Sequence, residues 1–346
     1  MKILIIGTCS PHVANHISRI KDEKTTIQVI SNGIKHFSES ERIYLVDFSL
    51  TKIWNLFITT KKIKKVIQSF KPDVIHIHQA NSVAFYALLA NKKSNIPAIL
   101  TAWGSDILMN PKKSVLLKWM VKFNLRNANF FTSDSIFMAE EMRRLVPEKS
   151  LDISICNFGV DTYDIEVQKK NTIYSNRNHN PLYRIEKVIE GFYRFSKTEM
   201  GNDWQLIIAG TGSETSKLKA LVLAYELTKK ITFVGFVNKE ENFKYYAQSK
   251  IFISLPLSDA TSISLLEAMY FKCIPVLIDL PANREWVDDR VNGIIVNDIE
   301  SDYLDRALVL DQKLVGDKNR SVILEKGTAD VSRKNFKDVI LKAVSK

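Results

Sequence analysis

Short runs of aliphatic residues alternate along the chain with longer segments whose apolar positions recur every three or four residues. Such runs are typical of strands buried on both faces of a parallel sheet, and the periodic segments are typical of amphipathic helices. In the first half the predicted strands are Lys2–Gly7, Thr25–Ser31, Arg42–Phe48, Asp73–Gln79, Pro97–Ala102 and Asn129–Ser133. The predicted helices there are Ile53–Phe70, Ser82–Asn91, Ser114–Asn127 and Ile136–Val146.

The alternation starts again after a polar stretch at residues 161–171. The predicted strands are Thr172–Asn176, Trp204–Ala209, Ile231–Phe236, Ile251–Leu255, Ile274–Ile278 and Gly293–Val296. The predicted helices are Ile185–Phe195, Ser216–Thr228, Lys239–Ala247, Ser262–Lys272 and Arg333–Ser345. The pattern predicts two doubly wound α/β domains at 1–163 and 164–332, and a C-terminal helix at 333–346 that packs back toward the first domain. Ligands bind such domains at the carboxyl ends of the strands, so we expect the site in the cleft between them.

Length and composition agree with this organisation. The chain has 346 residues, of which 45% are hydrophobic and 25% charged, as in ordinary globular proteins of about two domains. No apolar run approaches the roughly 18 residues that span a bilayer. Three unclustered cysteines exclude a disulfide scaffold and a cysteine-based metal site. The first strand begins at once, with no cleavable pattern behind it, so we expect a cytosolic protein.

Charge is the unusual feature of the composition. Lys and Arg number 49 against 38 Asp and Glu, a net charge of +11. Residues 50–130 hold 13 of the basic residues, with Asp73 and Asp106 as their only acids. Such a positive field attracts nucleic acid, an anionic membrane or phosphorylated substrates, and net charge alone does not choose among them.

The most informative segment is residues 254–276. A buried strand ends at Pro256, and a polar loop then leads into a helix. The polar residues of this loop and of the first helical turn are Ser258, Asp259, Thr261, Ser262 and Ser264. A helix start offers free N–H groups and the positive end of the helix dipole, and together these predict a phosphate site. Plain N-capping by Asp259 or Thr261 is the alternative explanation.

Glu267 favours a binding role for this helix. At 100° per residue it lies between Ile263 and Phe271, on the apolar face. A carboxylate in that position costs several kcal/mol unless it has partners. The partner is either the hydroxyl groups of a ligand or a neighbouring basic side chain, in which case Glu267 belongs to a buried ion pair.

The spacing in this segment resembles that of the retaining glycosyltransferases of family 4. Their hallmark is two acids separated by seven residues, then Ala-Met and a Gly-x-Pro-Val strand start. Asp259, Glu267-Ala-Met269 and Lys272-Cys-Ile-Pro-Val276 match it, with Asp for the usual first Glu and Lys272 near the usual Gly. The resemblance implies the GT-B fold, an α/β fold of two Rossmann-like domains with doubly wound parallel sheets that face each other across a cleft. It also implies that Glu267 binds the ribose hydroxyls of the donor and that Asp259 contacts the donor sugar.

Further segments resemble the family in the expected order. They are Ile155–Asp161, Leu206–Ser213, Ile231–Val237, Asn283–Trp286 and Val291–Ile294. The implied donor-binding residues are Gly210, Gly212, Arg184, Phe236, Val237, Ser258, Thr261, Ser262, Ser264 and Glu267.

The resemblance also implies cations for the leaving diphosphate, where negative charge develops during the reaction. Family members supply an Arg and a Lys from the loop after the first strand of the second domain. Arg177 matches the Arg, and Tyr183 falls at the Lys position, so that Arg184 is the expected substitute.

The first domain departs further from the family. Trp103 occupies the position at which many relatives carry a His beside the reacting sugar. Asp106 follows it, and we expect it to contact the donor or to orient the acceptor hydroxyl. Helix capping, or pairing with a nearby Lys, is the alternative role for Asp106.

Two histidines, His76 and His78, share one face of a predicted strand. No third ligand of fitting spacing is evident, so no metal site is predicted. We expect His78, nearer the carboxyl end, to face the cleft together with Trp103, and His76 to pack in the core.

The implied mechanism retains the configuration of the transferred sugar by front-face attack, with the acceptor proton passing to the departing phosphate. It needs no divalent metal and no other cofactor. A hydrolase that uses two carboxylates is the alternative interpretation of this pair of acids. Asp259 and Glu267 lie about two helical turns apart, roughly 12 Å, which exceeds the separation that glycosidases use.

Two basic helices carry most of the charge excess of the first half of the chain. Their basic residues, with one interleaved Trp, are Lys61, Lys62, Lys64, Lys65, Lys118, Trp119, Lys122 and Arg126. Like charges four residues apart weaken a helix, and basic residues among aromatics are typical of contact with an anionic membrane. A solvated helix face is the alternative.

These features predict a glycosyltransferase, most simply UDP-sugar dependent, that acts on a glycan or a lipid-diphosphate-linked sugar. Cell-surface polysaccharide, lipopolysaccharide or glycolipid synthesis is the expected setting, at the inner face of the cytoplasmic membrane. A nucleic-acid-binding protein remains an alternative, although no recognition module is legible and no nucleic-acid partner is expected. A dehydrogenase is disfavoured because Thr215 stands where a third glycine belongs. A non-catalytic transferase-like module is the remaining alternative.

Overall fold

The computed structural model describes residues 1–165 and 167–345. The chain forms two compact units. Unit 1 comprises Met1–Phe158 and the segment from Ala329 onward, and unit 2 comprises Gly159–Thr328. Each unit contains one parallel sheet with helices packed against it.

The sheet of unit 1 has seven strands in the order β3-β2-β1-β4-β5-β6-β7, and every pairing is parallel. Its central strands are almost wholly buried because helices cover both faces, which explains their Ile- and Val-rich sequences. The strands are β1 (Lys2–Ile6), β2 (Thr26–Ser31), β3 (Arg42–Leu45), β4 (Val74–His78), β5 (Ala98–Thr101), β6 (Phe130–Ser133) and β7 (Ile153–Ile155).

Helices connect the strands of unit 1. They are α1 (Pro11–Ile20), α2 (Ile53–Phe70), α3 (Ser82–Asn91), α4 (Ser105–Leu108), α5 (Asn110–Lys113), α6 (Val115–Asn127) and α7 (Ile136–Leu145). Helix α1 begins where the Ser10 side chain accepts a hydrogen bond from the Val13 N–H at 3.3 Å and Pro11 occupies the first turn. Ser before Pro is a favourable helix start because Pro has no N–H to leave unpaired.

Unit 2 repeats the design with six parallel strands in the order β10-β9-β8-β11-β12-β13. The strands are β8 (Lys170–Ser175), β9 (Gln205–Ala209), β10 (Ile231–Gly235), β11 (Ser249–Ser254), β12 (Ile274–Ile278) and β13 (Ile294–Val296). The helices are α8 (Ile185–Phe195), α9 (Thr215–Ala224), α10 (Lys239–Gln248), α11 (Ile263–Tyr270), α12 (Pro281–Arg284), α13 (Tyr303–Leu308) and α14 (Gln312–Lys326).

The last helix, α15 (Ala329–Val344), packs on unit 1, with Phe336, Val339 and Ile340 in its core. The chain enters unit 2 at Gly159, and the N–H of the next residue, Val160, donates to the Gly327 carbonyl at 2.9 Å. This pairing closes unit 2 at both ends. The boundaries predicted at 163 and 332 therefore lie five and four residues beyond those of the structure.

The predicted elements agree with the structure to within a few residues at most ends, but six helices and one short strand were missed. The elements that were not predicted are helices α1, α4, α5, α12, α13 and α14 and strand β7, and β3 ends at Leu45 rather than at Phe48. Helix α1 was missed although Ser10-Pro11 was a legible start signal. Among the described residues, no helix combines the length and apolarity needed to cross a membrane.

The strand order reverses at two places, between β1 and β4 in unit 1 and between β8 and β11 in unit 2. Connections leave in opposite directions at such a point, so a crevice opens at the carboxyl ends of the two strands. In unit 2 this brings the loop after β8 beside the loop after β11.

Candidate active site

The loops after β8 and β11 carry the best candidate residues of unit 2. Strand β8 is followed by Asn176 and Arg177, and β11 is followed by the polar loop that ends at Ser262, the residue before α11. Because β8 and β11 pair in parallel, with Tyr174 beside Phe252, both loops emerge at the same edge of the sheet.

Arg177 joins the two loops. Its guanidinium is buried, its Nη2 lies 2.6 Å from Asp259 Oδ2, and its Nη1 donates to the Ser262 hydroxyl. The same group lies over the Tyr183 ring, 4.3 Å from the centroid. Burial acts to lower the pKa of Arg177. The Asp259 carboxylate together with Tyr183 and Tyr246 acts in the opposite direction, and the pKa is raised overall. The structure thus brings together Arg177, Asp259 and Ser262, all of which were predicted.

Arg184 holds the same loop from another side. Its Nε donates to the Leu255 carbonyl at 2.7 Å and its Nη2 to the Pro256 carbonyl at 3.4 Å. The Leu257 N–H donates in turn to the Leu182 carbonyl at 2.8 Å. In this structure the Arg184 guanidinium therefore supports the loop backbone, a role that the sequence did not indicate.

Glu267 lies one turn into α11 and is partly buried. The Asn242 Nδ2 donates to its Oε2 at 3.0 Å, and the Tyr246 hydroxyl is hydrogen-bonded to the same carboxylate. Both partners come from one face of α10, because residues four apart lie one turn above each other. Among the described residues its hydrogen-bond partners are thus an amide and a phenol, which does not match the buried ion pair considered from the sequence.

A polar network behind Glu267 orients these partners. The Tyr174 hydroxyl and the Asn176 Nδ2 both donate to Asn242 Oδ1, at 2.7 and 3.0 Å, which leaves the Asn242 Nδ2 for Glu267. The Asn176 Nδ2 also donates to the Tyr246 hydroxyl at 2.7 Å, so that the Tyr246 proton is available to the carboxylate. These four residues, Tyr174, Asn176, Asn242 and Tyr246, were not predicted. The available signal was Asn242 and Tyr246 at helical spacing before the Glu267 segment.

Burial raises the pKa of Glu267 to about 7, because desolvation outweighs the opposing hydrogen bonds from Tyr246 and Asn242 and the charge of Lys239. The carboxylate is therefore close to its titration point near neutral pH. Perturbed carboxyl groups of this kind cluster at functional sites.

The two glycines after β9 allow a close approach of backbones. A Cβ on Gly210, whose φ is +108°, would lie 2.5 Å from the Arg177 carbonyl oxygen. A Cβ on Gly212 would lie 2.3 Å from the carbonyl oxygen of His179. The glycines thus let the loop after β9 pack against the loop that carries Arg177.

The remaining predicted donor-binding residues lie around these loops. Phe236 follows β10 and is 84% exposed, while Val237 and Ser258 are half-buried. The Thr261 hydroxyl accepts a hydrogen bond from Trp286 Nε1 at 3.3 Å. The hydroxyl of Ser264 is hydrogen-bonded to Tyr246.

In unit 1 the structure corrects the role predicted for Asp106. This side chain is buried, with Oδ2 accepting from the Ala80 N–H at 2.6 Å and Oδ1 from the Trp103 N–H at 3.0 Å. Burial raises the pKa of Asp106. Asp106 thus joins the loops after β4 and β5 through two backbone N–H groups. Helix α4 has no side-chain N-cap hydrogen bond from any residue that the structure describes, so the helix capping considered from the sequence is not the role of Asp106.

His78 does not face an open cleft, contrary to the prediction. It is fully buried, with the Trp103 ring 6.0 Å and the Phe158 ring 6.5 Å from its own. Trp103 itself is half-buried. His76 is fully buried, as expected for a core residue.

Of the predicted basic residues, Lys61, Lys62, Lys65 and Lys118 are exposed, and Lys64 and Lys122 are half-buried. Trp119 is 51% exposed. Arg126 differs from the expectation, because its Nε lies 2.7 Å from Glu148 Oε1 and its charge is balanced within unit 1.

Comparison with known proteins identifies both halves of the chain. Residues 2–135 match the family model described as glycosyl transferase 4-like, and residues 164–310 match that of the glycosyl transferases group 1. The two matched ranges together include Asp106, Arg177, Asp259 and Glu267.

Individual relatives agree with these matches. The alpha-monoglucosyldiacylglycerol synthase of Acholeplasma laidlawii is 23% identical over 275 residues, which cover 71% of this chain and 68% of the relative. The structure of Anabaena HepE in complex with UDP superposes with a TM-score of 0.81 at 13% identity, covering 99% of this chain and 100% of the other. The structure of a glycosyltransferase from Rickettsia africae superposes with a TM-score of 0.80 at 15% identity, covering 99% of this chain and 98% of the other. At these identities the structural likeness shows the fold.

The raised pKa of Glu267 predicts a pH-dependent stability. The pKa of Glu267 is about 7 in the folded protein, above its ordinary value of 4.5. The ionised carboxylate therefore destabilises the fold progressively as pH rises from about 4.5 to 7. Glu267→Gln removes this effect. Between pH 5 and pH 8 the free energy of unfolding of the variant should increase relative to that of the wild type, by at most on the order of 3 kcal/mol.

Urea denaturation of both proteins at the two pH values measures the gain. The matched control is Glu240→Gln, an exposed glutamate of α10, which should show no such change. An equal difference between wild type and Glu267→Gln at both pH values would contradict the raised pKa.

Proposed function

Because the chain belongs to the family 4-like, group 1 glycosyltransferases with the GT-B fold, we propose that its donor substrate is a nucleotide-sugar. A UDP-sugar is the first candidate for this donor. The observation that carries the proposal is the convergence of Arg177, Asp259 and Glu267 at the carboxyl ends of β8 and β11. The complex of HepE with UDP supports a uridine nucleotide in a protein of the same fold.

Glu267 is the proposed ribose ligand. A carboxylate accepts two hydrogen bonds from neighbouring hydroxyls, and bonds to a charged acceptor are stronger than neutral ones. Asn242 and Tyr246 hold the carboxylate in place before the donor arrives. Donor hydroxyls also stabilise the ionised form, which relieves the cost that burial imposes on it.

Arg177 is the proposed partner of the leaving diphosphate. In the free protein its charge is balanced by Asp259. A diphosphate placed beside the guanidinium would take over that balance and free Asp259 to contact the donor sugar. Arg177 then stabilises the charge that develops on the departing phosphate, and this lowers the barrier of the transfer.

The proposed reaction retains the configuration of the sugar. The C1–O bond to the diphosphate breaks as the acceptor oxygen bonds to C1 on the same face, and the acceptor proton moves to the released phosphate oxygen. The burial of Asp106, with both oxygens bonded to backbone N–H groups, supports a mechanism without a separate carboxylate base in unit 1. We propose that catalysis needs no divalent metal, because Arg177 supplies positive charge.

The proposed acceptor is a lipid-linked or glycan hydroxyl presented at an anionic membrane surface. The Acholeplasma relative is named for a glucosyl diacylglycerol product. In this chain large apolar side chains are exposed early in α2 and α6: Trp54, Phe57, Ile58, Val115, Leu116 and Trp119. Helix α2 follows β3, and α6 leads into β6 of the same parallel sheet, so the N-terminal ends of both helices lie toward its carboxyl edge.

Helix α3 packs against both α2 and α6, and the Trp119 ring lies 5.7 Å from that of Phe85 on α3. Exposed aromatics beside Lys61, Lys62, Lys65 and Lys118 form an amphipathic, positively charged surface. Such a surface binds anionic headgroups while its rings enter the interface. We therefore propose peripheral association with the inner face of the cytoplasmic membrane, as in polysaccharide or glycolipid synthesis.

Nucleotide binding tests the donor proposal. Titration calorimetry with UDP, GDP and ADP should show binding with UDP preferred. Glu267→Ala should weaken UDP binding by about 10- to 100-fold, as expected for the loss of charge-assisted hydrogen bonds. Glu240→Ala, an exposed position on α10, is the matched control. Absence of nucleotide binding, or equal affinity of wild type and Glu267→Ala, would overturn the proposal.

The stereochemical outcome tests the proposed mechanism. With an α-configured UDP-sugar and a lipid acceptor, the product should carry an α linkage, visible in the proton coupling at the anomeric carbon. Added chelator should leave the initial rate unchanged. A β-linked product, or a rate that chelator abolishes while the thermal midpoint of the protein is unchanged, would contradict the retaining, metal-independent reaction.

Membrane association is tested by co-sedimentation with vesicles. Binding should require anionic lipid, since each Lys near such a surface contributes about 1 kcal/mol. The triple variant Lys61→Gln, Lys62→Gln, Lys65→Gln should bind at least tenfold more weakly than the wild type. Replacing Lys219, Lys229 and Lys244, three exposed lysines of unit 2, by Gln is the matched control. Equal loss in both variants would show that net charge, and not this surface, is responsible.

A further inference from the structure

Three histidines converge in the core of unit 1. His76 and His78 come from β4 and His16 from α1, and all three are buried. One ring nitrogen from each lies within 4.8 Å of the others. The sequence showed only the pair on the strand, because the third residue lies 60 positions earlier on a helix that the hydrophobic pattern did not reveal.

Local structure explains the convergence. Residues two apart on a strand point to the same face, which places the rings of His76 and His78 side by side, 4.7 Å apart and inclined by 17°. The ring of His16 meets them edge-on at 4.6 and 4.7 Å. The Phe336 ring of α15 lies 4.6 Å from that of His16 and covers the cluster.

Two of the three histidine rings, those of His16 and His76, have hydrogen-bond partners within the cluster. His16 Nε2 lies 3.2 Å from His76 Nδ1, and His76 Nε2 lies 2.6 Å from the Thr101 hydroxyl. The Thr132 hydroxyl donates to that of Thr101 at 2.7 Å. This chain of contacts fixes the orientation of His76, with Nδ1 directed at the cluster.

His78 is not satisfied in the same way. Both of its ring nitrogens are buried, and neither has a hydrogen-bond partner among the described residues. An unpaired buried polar atom is costly, and nearly all such atoms in folded proteins have partners. A ligand of the imidazole nitrogens would satisfy the ring at the point where the other two converge.

We propose that His16, His76 and His78 bind one divalent transition-metal ion, with Zn²⁺ as the best match to three imidazole ligands. Two ligands of a tetrahedral zinc site lie roughly 3.4 Å apart at a bond length of about 2.0–2.1 Å, close to the 3.2 Å between His16 and His76. One nitrogen of His78 lies within 4.8 Å of those of the other two rings, so a small movement of the His78 side chain would bring it to the same centre. The fourth position is left for water or hydroxide.

The surroundings suit neutral imidazole ligands. All three rings are buried away from water, which disfavours the charged imidazolium form. A histidine that binds a metal must be in the neutral form. The Thr101 hydroxyl on the far nitrogen of His76 is the kind of outer partner that orients a ligating imidazole.

The ion would tie α1 to β4 and so stabilise unit 1. This role is separate from sugar transfer, since none of the three histidines belongs to the site of Arg177 and Glu267 in unit 2. The inference therefore stands or falls independently of the proposed function.

Metal content tests it. The full chain, expressed without a histidine tag in medium containing Co²⁺, should retain about one Co²⁺ per chain. It should show the visible absorption of a four-coordinate cobalt site. Zn²⁺ should displace the cobalt and raise the thermal midpoint above that of chelator-treated protein.

The variants distinguish the cluster from adventitious binding. His78→Gln and His16→Gln should each lower the metal content more than tenfold and abolish the shift in midpoint. His36→Gln, on an exposed loop, and His179→Gln, in unit 2, should leave both unchanged. His78→Gln breaks no hydrogen bond with a described residue, so it remains informative even where His16→Gln fails to fold. A wild type with less than 0.1 Co²⁺ per chain, or equal cobalt in wild type and His78→Gln, would overturn the proposal.

Discussion

A buried guanidinium must have a counter-charge, and this constraint organises the carboxyl edge of unit 2. Arg177 binds Asp259 and Ser262 across two loops and stacks on Tyr183 within its own. The glycines after β9 let a third loop pack against its backbone, and Arg184 braces the end of β11. The conformations of these loops are therefore coupled through one charge, and a ligand that takes over the balance of that charge changes what Asp259 can do.

Glu267 differs from Arg177 because its buried carboxylate has no counter-charge among its hydrogen-bond partners in the described part of the chain. Its partners are an amide and a phenol, which donate hydrogen bonds without cancelling the charge. The pKa of about 7 is the result. A site held in this state favours hydroxyl-bearing ligands, because they stabilise the ionised carboxylate more than the free protein does. Stability is given up at the residue where binding is proposed, a common property of functional sites.

Much of this architecture could be predicted from the sequence. The Ile- and Val-rich strands are buried on both faces, and that environment leaves a continuous signal in the chain. The spacing of Asp259 and Glu267 likewise lies within one loop and helix. The prediction failed where the signal was weak or competed with another. Helix α1 is short and interrupted by polar residues, and β7 has three residues. The backbone groups that bind the Asp106 carboxylate lie 26 and 3 positions away, and the first of them is not visible in the local sequence.

By itself the sequence determined the two-unit α/β organisation, because burial in a parallel sheet leaves a periodic pattern, and the spacing of Asp259 and Glu267 indicated the family through a resemblance. Only the tertiary structure decided which polar groups meet. Arg177 and Asp259 are 82 positions apart in the sequence. Glu267 is hydrogen-bonded by Asn242, a residue of a different helix. His16, on α1, lies 60 positions before His76. The reason is physical. Burial leaves a periodic pattern along a chain, whereas the pairing of buried polar groups depends on distance and orientation, which exist only once the sheets have formed.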